Sequence, residues 1–216
     1  MKIAIIGGHG QIGLRLTSLL REHGHEVYSI IRNPHHAAEV IERGGEPRLL
    51  DLEHAHPAEL SMSLAGADAV VFTAGAGPGS GAARKRTVDR DGAILTADAA
   101  AMAGVTRFLL VSSMGTGRPE AAQDEVFRAY LQAKAEADAV IRSRTGLEYT
   151  IVHPGTLVDE PGTGAVTAGR GLPHGRIPRE DVARVLRVLL EERLALRDEF
   201  DLVGGDTAIE AALRAL

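Results

Sequence analysis

The first thirteen residues constrain this chain more than any other stretch. Lys2-Ile3-Ala4-Ile5-Ile6 is a short apolar run rich in β-branched residues. That is the pattern of a strand buried on both faces of a parallel sheet. Spaced glycines follow, and a helical pattern begins directly after them. Gly8-His9-Gly10-Gln11-Ile12-Gly13 fits G-x-G-x-x-G, and Gly7, Gly10 and Gly13 also fit G-x-x-G-x-x-G. In a strand–turn–helix context, one glycine supports a tight turn and one lets the backbone approach a pyrophosphate. A third lets the helix pack close to the strand. The free N–H groups at the helix start then receive the anion. Gly7, Gly10, Gln11, Ile12 and Gly13 are therefore candidate dinucleotide contacts.

Strand-like and helix-like stretches alternate through all 216 residues. Helical patterns are read at about 11–23, 82–103, 123–144 and 179–192. Strands are read at 26–31, 48–52, 68–74, 107–113, 149–153 and 200–203. Such alternation implies right-handed β-α-β units. The expected fold is a doubly wound α/β Rossmann domain over 1–216, its six- to seven-stranded, mostly parallel sheet flanked by helices on both faces. The segment at about 155–178, rich in Gly, Thr and Pro, reads as loop with one short strand, placed to cover a substrate. A ligand of this fold lies at the carboxyl ends of the strands.

Composition removes several classes of function. There are no cysteines, so a disulfide framework, a thiolate metal site and a Cys nucleophile are excluded. A net charge of −5 argues against binding nucleic acid or anionic membranes as the main task. Apolar residues make up 44% and aromatics only 3%, so the core must be built from Ala, Val, Leu and Ile. No signal peptide and no bilayer-length apolar run is read, which leads to the expectation of a cytoplasmic monomer or homodimer acting on a small molecule. His54-Ala55-His56 lacks a third ligand, and no metal is expected. Arg84-Lys85-Arg86 either faces the cofactor phosphates or is a solvated helix start, and the solvated start is the expectation.

The end of the second strand normally separates NAD from NADP. An NAD site carries Asp or Glu there, whereas this chain has Ile31-Arg32-Asn33. Arg32 is a fork-shaped permanent cation suited to the 2′-phosphate of NADP, so NADP(H) is the expected cofactor. Asp51 follows the third strand and either accepts from the adenine amino group or caps the next turn. Leu52, Ala74, Gly75 and Pro154 stand at further strand ends and complete the candidate cofactor set.

Tyr130-Leu131-Gln132-Ala133-Lys134 reads Y-x-x-x-K. Residues four apart share one helix face, so both polar heads can meet the same ligand. An ammonium beside a phenol favours phenolate, which suits a tyrosine to proton transfer near neutral pH.

With these residues in view, the chain resembles the short-chain dehydrogenase/reductase superfamily. It is most similar to the small atypical, NmrA-like, NAD(P)H-binding members. The resemblance spans essentially the whole chain. It rests on Gly7-x-x-Gly10-x-x-Gly13, Thr87-Val88-Asp89-x-x-Gly92, Val111-Ser112-Ser113, Tyr130-x-x-x-Lys134, His153-Pro154-Gly155 and Ile177-Pro178-Arg179-Glu180-Asp181-Val182-Ala183. It implies that Ser113 positions a substrate carbonyl, Tyr130 transfers a proton, Lys134 holds the nicotinamide ribose and Asp89 organises a proton relay. Ser112 and Thr116 are the substitutes for Ser113, because Met114 stands where longer relatives carry the serine. The implied activity is an NADP(H)-dependent oxidoreductase acting on a small carbonyl, quinone, flavin or tetrapyrrole. The alternatives are a non-catalytic NADP(H)-binding redox sensor and a small NADP-dependent epimerase or isomerase.

Overall fold

A computed structural model describes residues 1–77 and 79–216. Its order is β1 (Lys2–Ile6), α1 (Gln11–Glu22), β2 (Glu26–Ile31), α2 (Ala37–Glu42), β3 (Glu46–Leu49), α3 (Pro57–Leu64) and β4 (Ala69–Phe72). Then come α4 (Ala82–Arg84), a π-helical stretch (Lys85–Asp91), α5 (Gly92–Met102), β5 (Arg107–Val111), α6 (Glu125–Ser143) and β6 (Glu148–Pro154). The chain ends with β7 (Thr156–Val158), β8 (Ala165–Gly169), β9 (Arg176–Pro178), α7 (Arg179–Glu191), β10 (Asp198–Gly204), β11 (Thr207–Ala208) and α8 (Ile209–Arg214).

Nine strands form one sheet in the order β11-β8-β10-β6-β5-β4-β1-β2-β3. The seven from β10 to β3 are mutually parallel. They form the Rossmann sheet expected from the sequence. Two short antiparallel strands extend it beyond β10. The segment expected to be loop with one strand instead holds three, since β7 and β9 also pair with each other. Gly155 permits this fold-back: a Cβ there would lie 2.3 Å from the Gly175 carbonyl oxygen. At the far edge, β3 is four residues long and carries Pro47.

Period-two alternation divides the core into two layers. Ile3, Ile5, Val71 and Leu109 face a layer completed by α1, α7 and α8. Ala4, Ile6, Val70, Phe72, Phe108 and Leu110 face the opposite layer, with α3, α5 and α6. In α7, Val182, Val185, Leu186 and Leu189 at helical spacing are fully buried. Gly24 ends α1 in the left-handed region, φ +79°, and its N–H bonds the Arg21 carbonyl.

Several boundaries differ from the sequence reading. β3 ends at Leu49 and β5 at Val111, so Asp51, Leu52, Ser112 and Ser113 already stand beyond the strand ends. The helix expected over 82–103 is interrupted by the π-helical stretch, whose wider coil carries Thr87 and Asp89. Pro78, in the glycine-rich stretch 75–81, lies outside the described residues.

Candidate cofactor site and active site

The turn between β1 and α1 has no room for side chains. Gly7 adopts φ +81°, and a Cβ on it would lie 2.7 Å from the Ala74 Cα. A Cβ on Gly13 would lie 2.6 Å from the Gly7 carbonyl oxygen, so α1 packs directly on the turn. The Gly10 N–H closes the turn on that same oxygen at 2.8 Å. Leu14 is the first residue of α1 to bond back, to Gly10 at 2.9 Å. Among the described residues, the N–H groups of Gln11, Ile12 and Gly13 therefore have no backbone acceptor, as at any helix start. A glycine cradle that a Cβ would fill, with free N–H groups at its end, fits a pyrophosphate.

This turn opens onto a cavity of about 580 Å³. Gly7, Gly10, Arg32, Asp51, Leu52, Ala74 and Gly75 line it. Pro154 lines neither this cavity nor the second one described below. It sits at the end of β6, where its carbonyl accepts from the Met114 N–H at 3.0 Å. Burial pushes the Asp51 carboxyl up. The Glu53 N–H and the His54 ring, both bonded to it, outweigh this and hold it below the usual carboxylate range.

The sequence reading missed Glu53. One of its oxygens accepts from Arg32 Nη1 at 3.1 Å and Arg84 Nε at 3.2 Å. The other accepts from the Thr87 hydroxyl at 2.7 Å. The Thr87 bond, with Arg84 behind it, holds the Glu53 carboxyl below its ordinary range against the opposing effect of burial. Arg84 was expected on a solvated helix start. It lines the cavity instead, drawn in by Glu53. Asn33 caps the turn after β2 by accepting from the His35 N–H at 3.0 Å, and Pro34 follows it. That turn stacks His36 on His9 at 3.6 Å between ring centroids. Burial, and then the neighbouring His9, push the His36 imidazole down from its ordinary value.

Beneath the Gly75–Ala76 backbone lies a buried ion pair. Asp89 Oδ1 stands 3.4 Å from Lys134 Nζ, with side chains 1% and 4% exposed. Asp89 Oδ2 accepts from the Ala76 N–H at 3.1 Å, and Lys134 also donates to the Val111 carbonyl at 3.1 Å. Asp89 Oδ1 is buried without a hydrogen bond. Tyr130, one turn before Lys134 on α6, is half-buried. The Lys85 and Lys134 ammoniums lie 5.4 and 5.9 Å from its ring centroid.

The two serines after β5 have separate environments. The Ser113 hydroxyl donates to the Met114 carbonyl at 3.1 Å. Ser112 is buried and donates to Asp138 Oδ2 at 2.9 Å. The same oxygen bonds His153 Nε2 at 3.0 Å. Ser112 is therefore committed to a network joining β5, α6 and β6. Asp138 was not singled out from the sequence, although it falls one turn after Lys134 on the same face of α6. His153, Asp138, Met114 and Thr116 line a second cavity of about 490 Å³, which Arg170-Gly171-Leu172 of the 155–178 segment also borders.

A parallel sheet carrying a glycine cradle at the start of its first helix defines a dinucleotide-binding Rossmann protein, and similarity to known proteins makes it one of the atypical short-chain dehydrogenase/reductase kind. The model of the NAD(P)H-binding family matches residues 7–193, and the chain belongs to that family of oxidoreductases and related enzymes. It is 40% identical over 217 residues to Bacillus subtilis YhfK, named as an uncharacterized sugar epimerase, with all of both chains covered. A solved Bacillus halodurans structure, provisionally described as an NAD-dependent epimerase/dehydratase, matches at 36% identity and TM-score 0.92 over all of both chains. The oxidoreductase YlbE of Lactococcus lactis matches at 28% identity and TM-score 0.86, over 100% of this chain and 96% of that one. Among the described residues no helix is long and apolar enough to cross a membrane.

Proposed function

We propose that the protein is an NADP(H)-dependent oxidoreductase acting on a small carbonyl, quinone, flavin or tetrapyrrole. The observation that carries the reading is the Lys134–Asp89 pair. It lies directly under the Gly75–Ala76 backbone at the wall of the glycine-turn cavity. Gly7, Gly10, Gln11, Ile12 and Gly13 would hold the pyrophosphate. Arg32, Asp51, Leu52, Ala74 and Gly75 would surround the adenosine end, and Lys134 and Pro154 the nicotinamide end. The bound nicotinamide supplies or accepts a hydride.

The chain's own residues do the rest. Ser113 donates a hydrogen bond to the acceptor's carbonyl oxygen, and the Tyr130 hydroxyl gives that oxygen its proton. Asp89 fixes Lys134 and organises the proton relay. The acceptor lies beside Ser113 and Tyr130, with the 155–178 segment covering it.

The names of the Bacillus relatives favour a second reading, an epimerase that keeps its cofactor oxidised between turnovers. The test is NADPH oxidation against a panel of quinones, aldehydes, flavins and bilins, with Tyr130→Phe as control. Turnover that falls at least ~100-fold in the variant supports the proton-transfer role. Full turnover in Tyr130→Phe overturns that role. Tight NADPH binding with no oxidation by any acceptor moves the protein to the sensor or epimerase class.

A further inference from the structure

Arg32, Arg84 and Thr87 form an anion site that the chain fills with its own carboxylate. Glu53 reaches across the adenosine end of the cavity and is the point where all three converge, at 3.1, 3.2 and 2.7 Å. The three donors come from the end of β2, from α4 and from the π-helical stretch. Arg84 and Thr87 stand one turn apart on one helical run, and Arg32 joins them from a distant strand end. Two guanidiniums and a hydroxyl around one small anion are the donor set that binds a phosphate monoester. Glu53 shows 21% side-chain exposure, so its carboxylate has a path to solvent.

We infer that Glu53 is the specificity-determining residue of the cofactor site. It occupies the position of a ribose 2′-phosphate and must leave when one binds. The inference rests on the cavity being the adenosine end of the nicotinamide cofactor site. The charge balance explains how it acts. With Glu53 seated, Arg32 and Arg84 face Glu53 and Asp51, and the local charge sums to zero. An arriving dianion gains two guanidiniums only by displacing a like charge, and that displacement weakens its binding. An unphosphorylated ribose meets no such competition. The chain therefore discriminates less between the two nicotinamide cofactors than Arg32 alone suggests, and one carboxylate sets the balance.

The probes are adenosine 2′,5′-bisphosphate and adenosine 5′-monophosphate, titrated calorimetrically into the wild-type protein, Glu53→Gln and Arg84→Gln. Glu53→Gln keeps the shape and the Thr87 contact while removing the competing charge. The expected result is about a tenfold or greater gain in bisphosphate affinity, with monophosphate affinity unchanged within about twofold. Arg84→Gln should lower bisphosphate affinity alone. A Glu53→Gln protein that loses monophosphate affinity with no bisphosphate gain overturns the inference, because Glu53 then serves as a ribose hydroxyl acceptor. Equal changes for both probes also overturn it. If neither probe binds the wild-type protein at millimolar concentration, the cofactor assignment of the cavity fails and the inference fails with it.

Discussion

Lys134 and Asp89 form an ion pair that is almost wholly buried, 3.4 Å between Nζ and Oδ1, and it joins α6 to the π-helical stretch. Each ion loses its hydration on burial, and each depends on the other to offset that cost. Lys134→Met leaves Asp89 as an uncompensated buried charge and should destabilise the protein by about 3–5 kcal/mol. The double variant Lys134→Met/Asp89→Asn should recover much of the loss. Urea denaturation of the four proteins of the cycle measures the coupling.

Gly13 and Gly24 separate two roles of glycine. A Cβ on Gly13 collides with the Gly7 carbonyl, whereas a Cβ on Gly24 meets nothing within 4 Å and suffers only its positive φ. Gly13→Ala should weaken NADPH binding at least ~10-fold, because α1 must retreat from the turn. Gly24→Ala should cost about 1 kcal/mol of stability and leave binding unchanged. NADPH fluorescence titration and thermal melts distinguish the two outcomes.

The pH dependence of stability has two windows with the same sign. His36 is held below its ordinary 6.5 by burial and by His9, so the unfolded chain takes its proton first. The stability this contributes is complete above pH 6.5 and declines as pH falls through the folded-state value. Glu53 is held below its ordinary 4.5, and its contribution disappears at lower pH by the same logic. His36→Gln should flatten the stability profile below about pH 6.5, and Glu53→Gln below about pH 4.5. Denaturant midpoints measured from pH 3 to 8 test both.

Asp181 is fully buried at the start of α7 and accepts from the Thr163 and Gly164 N–H groups at 2.8 and 2.9 Å. Arg184 bonds it at 3.0 Å. Asp181→Ala strands those donors and should cost about 2–4 kcal/mol. The 162–164 loop should then become the first site of limited proteolysis.

The sheet was legible because its strands carry their own pattern. Ile3 to Ile6 and Phe108 to Val111 are apolar runs that only a strand buried on both faces explains. The glycine turn, Arg32, Asp51 and Gly75 were legible because each stands at a strand end. The convergence of Arg32, Arg84 and Thr87 on Glu53 was not, since Arg84 and Thr87 lie one turn apart but reach Glu53 only through tertiary packing. The antiparallel strands β8 and β11 were hidden for a related reason. Ala165 to Gly169 is short and rich in small residues, and its pairing partners lie more than thirty residues away in β10 and β11. The interruption of the helix over 82–103 also left no mark, because Lys85–Asp91 carries neither Gly nor Pro to signal a break.

The sheet has two ends, and neither invites another strand. At one margin Pro47 removes an N–H from β3, and Glu46 and Arg48 flank it with charge. At the other, β11 offers two residues before α8 begins. Both margins are therefore poor templates for another copy's strand, which guards against fibrous association.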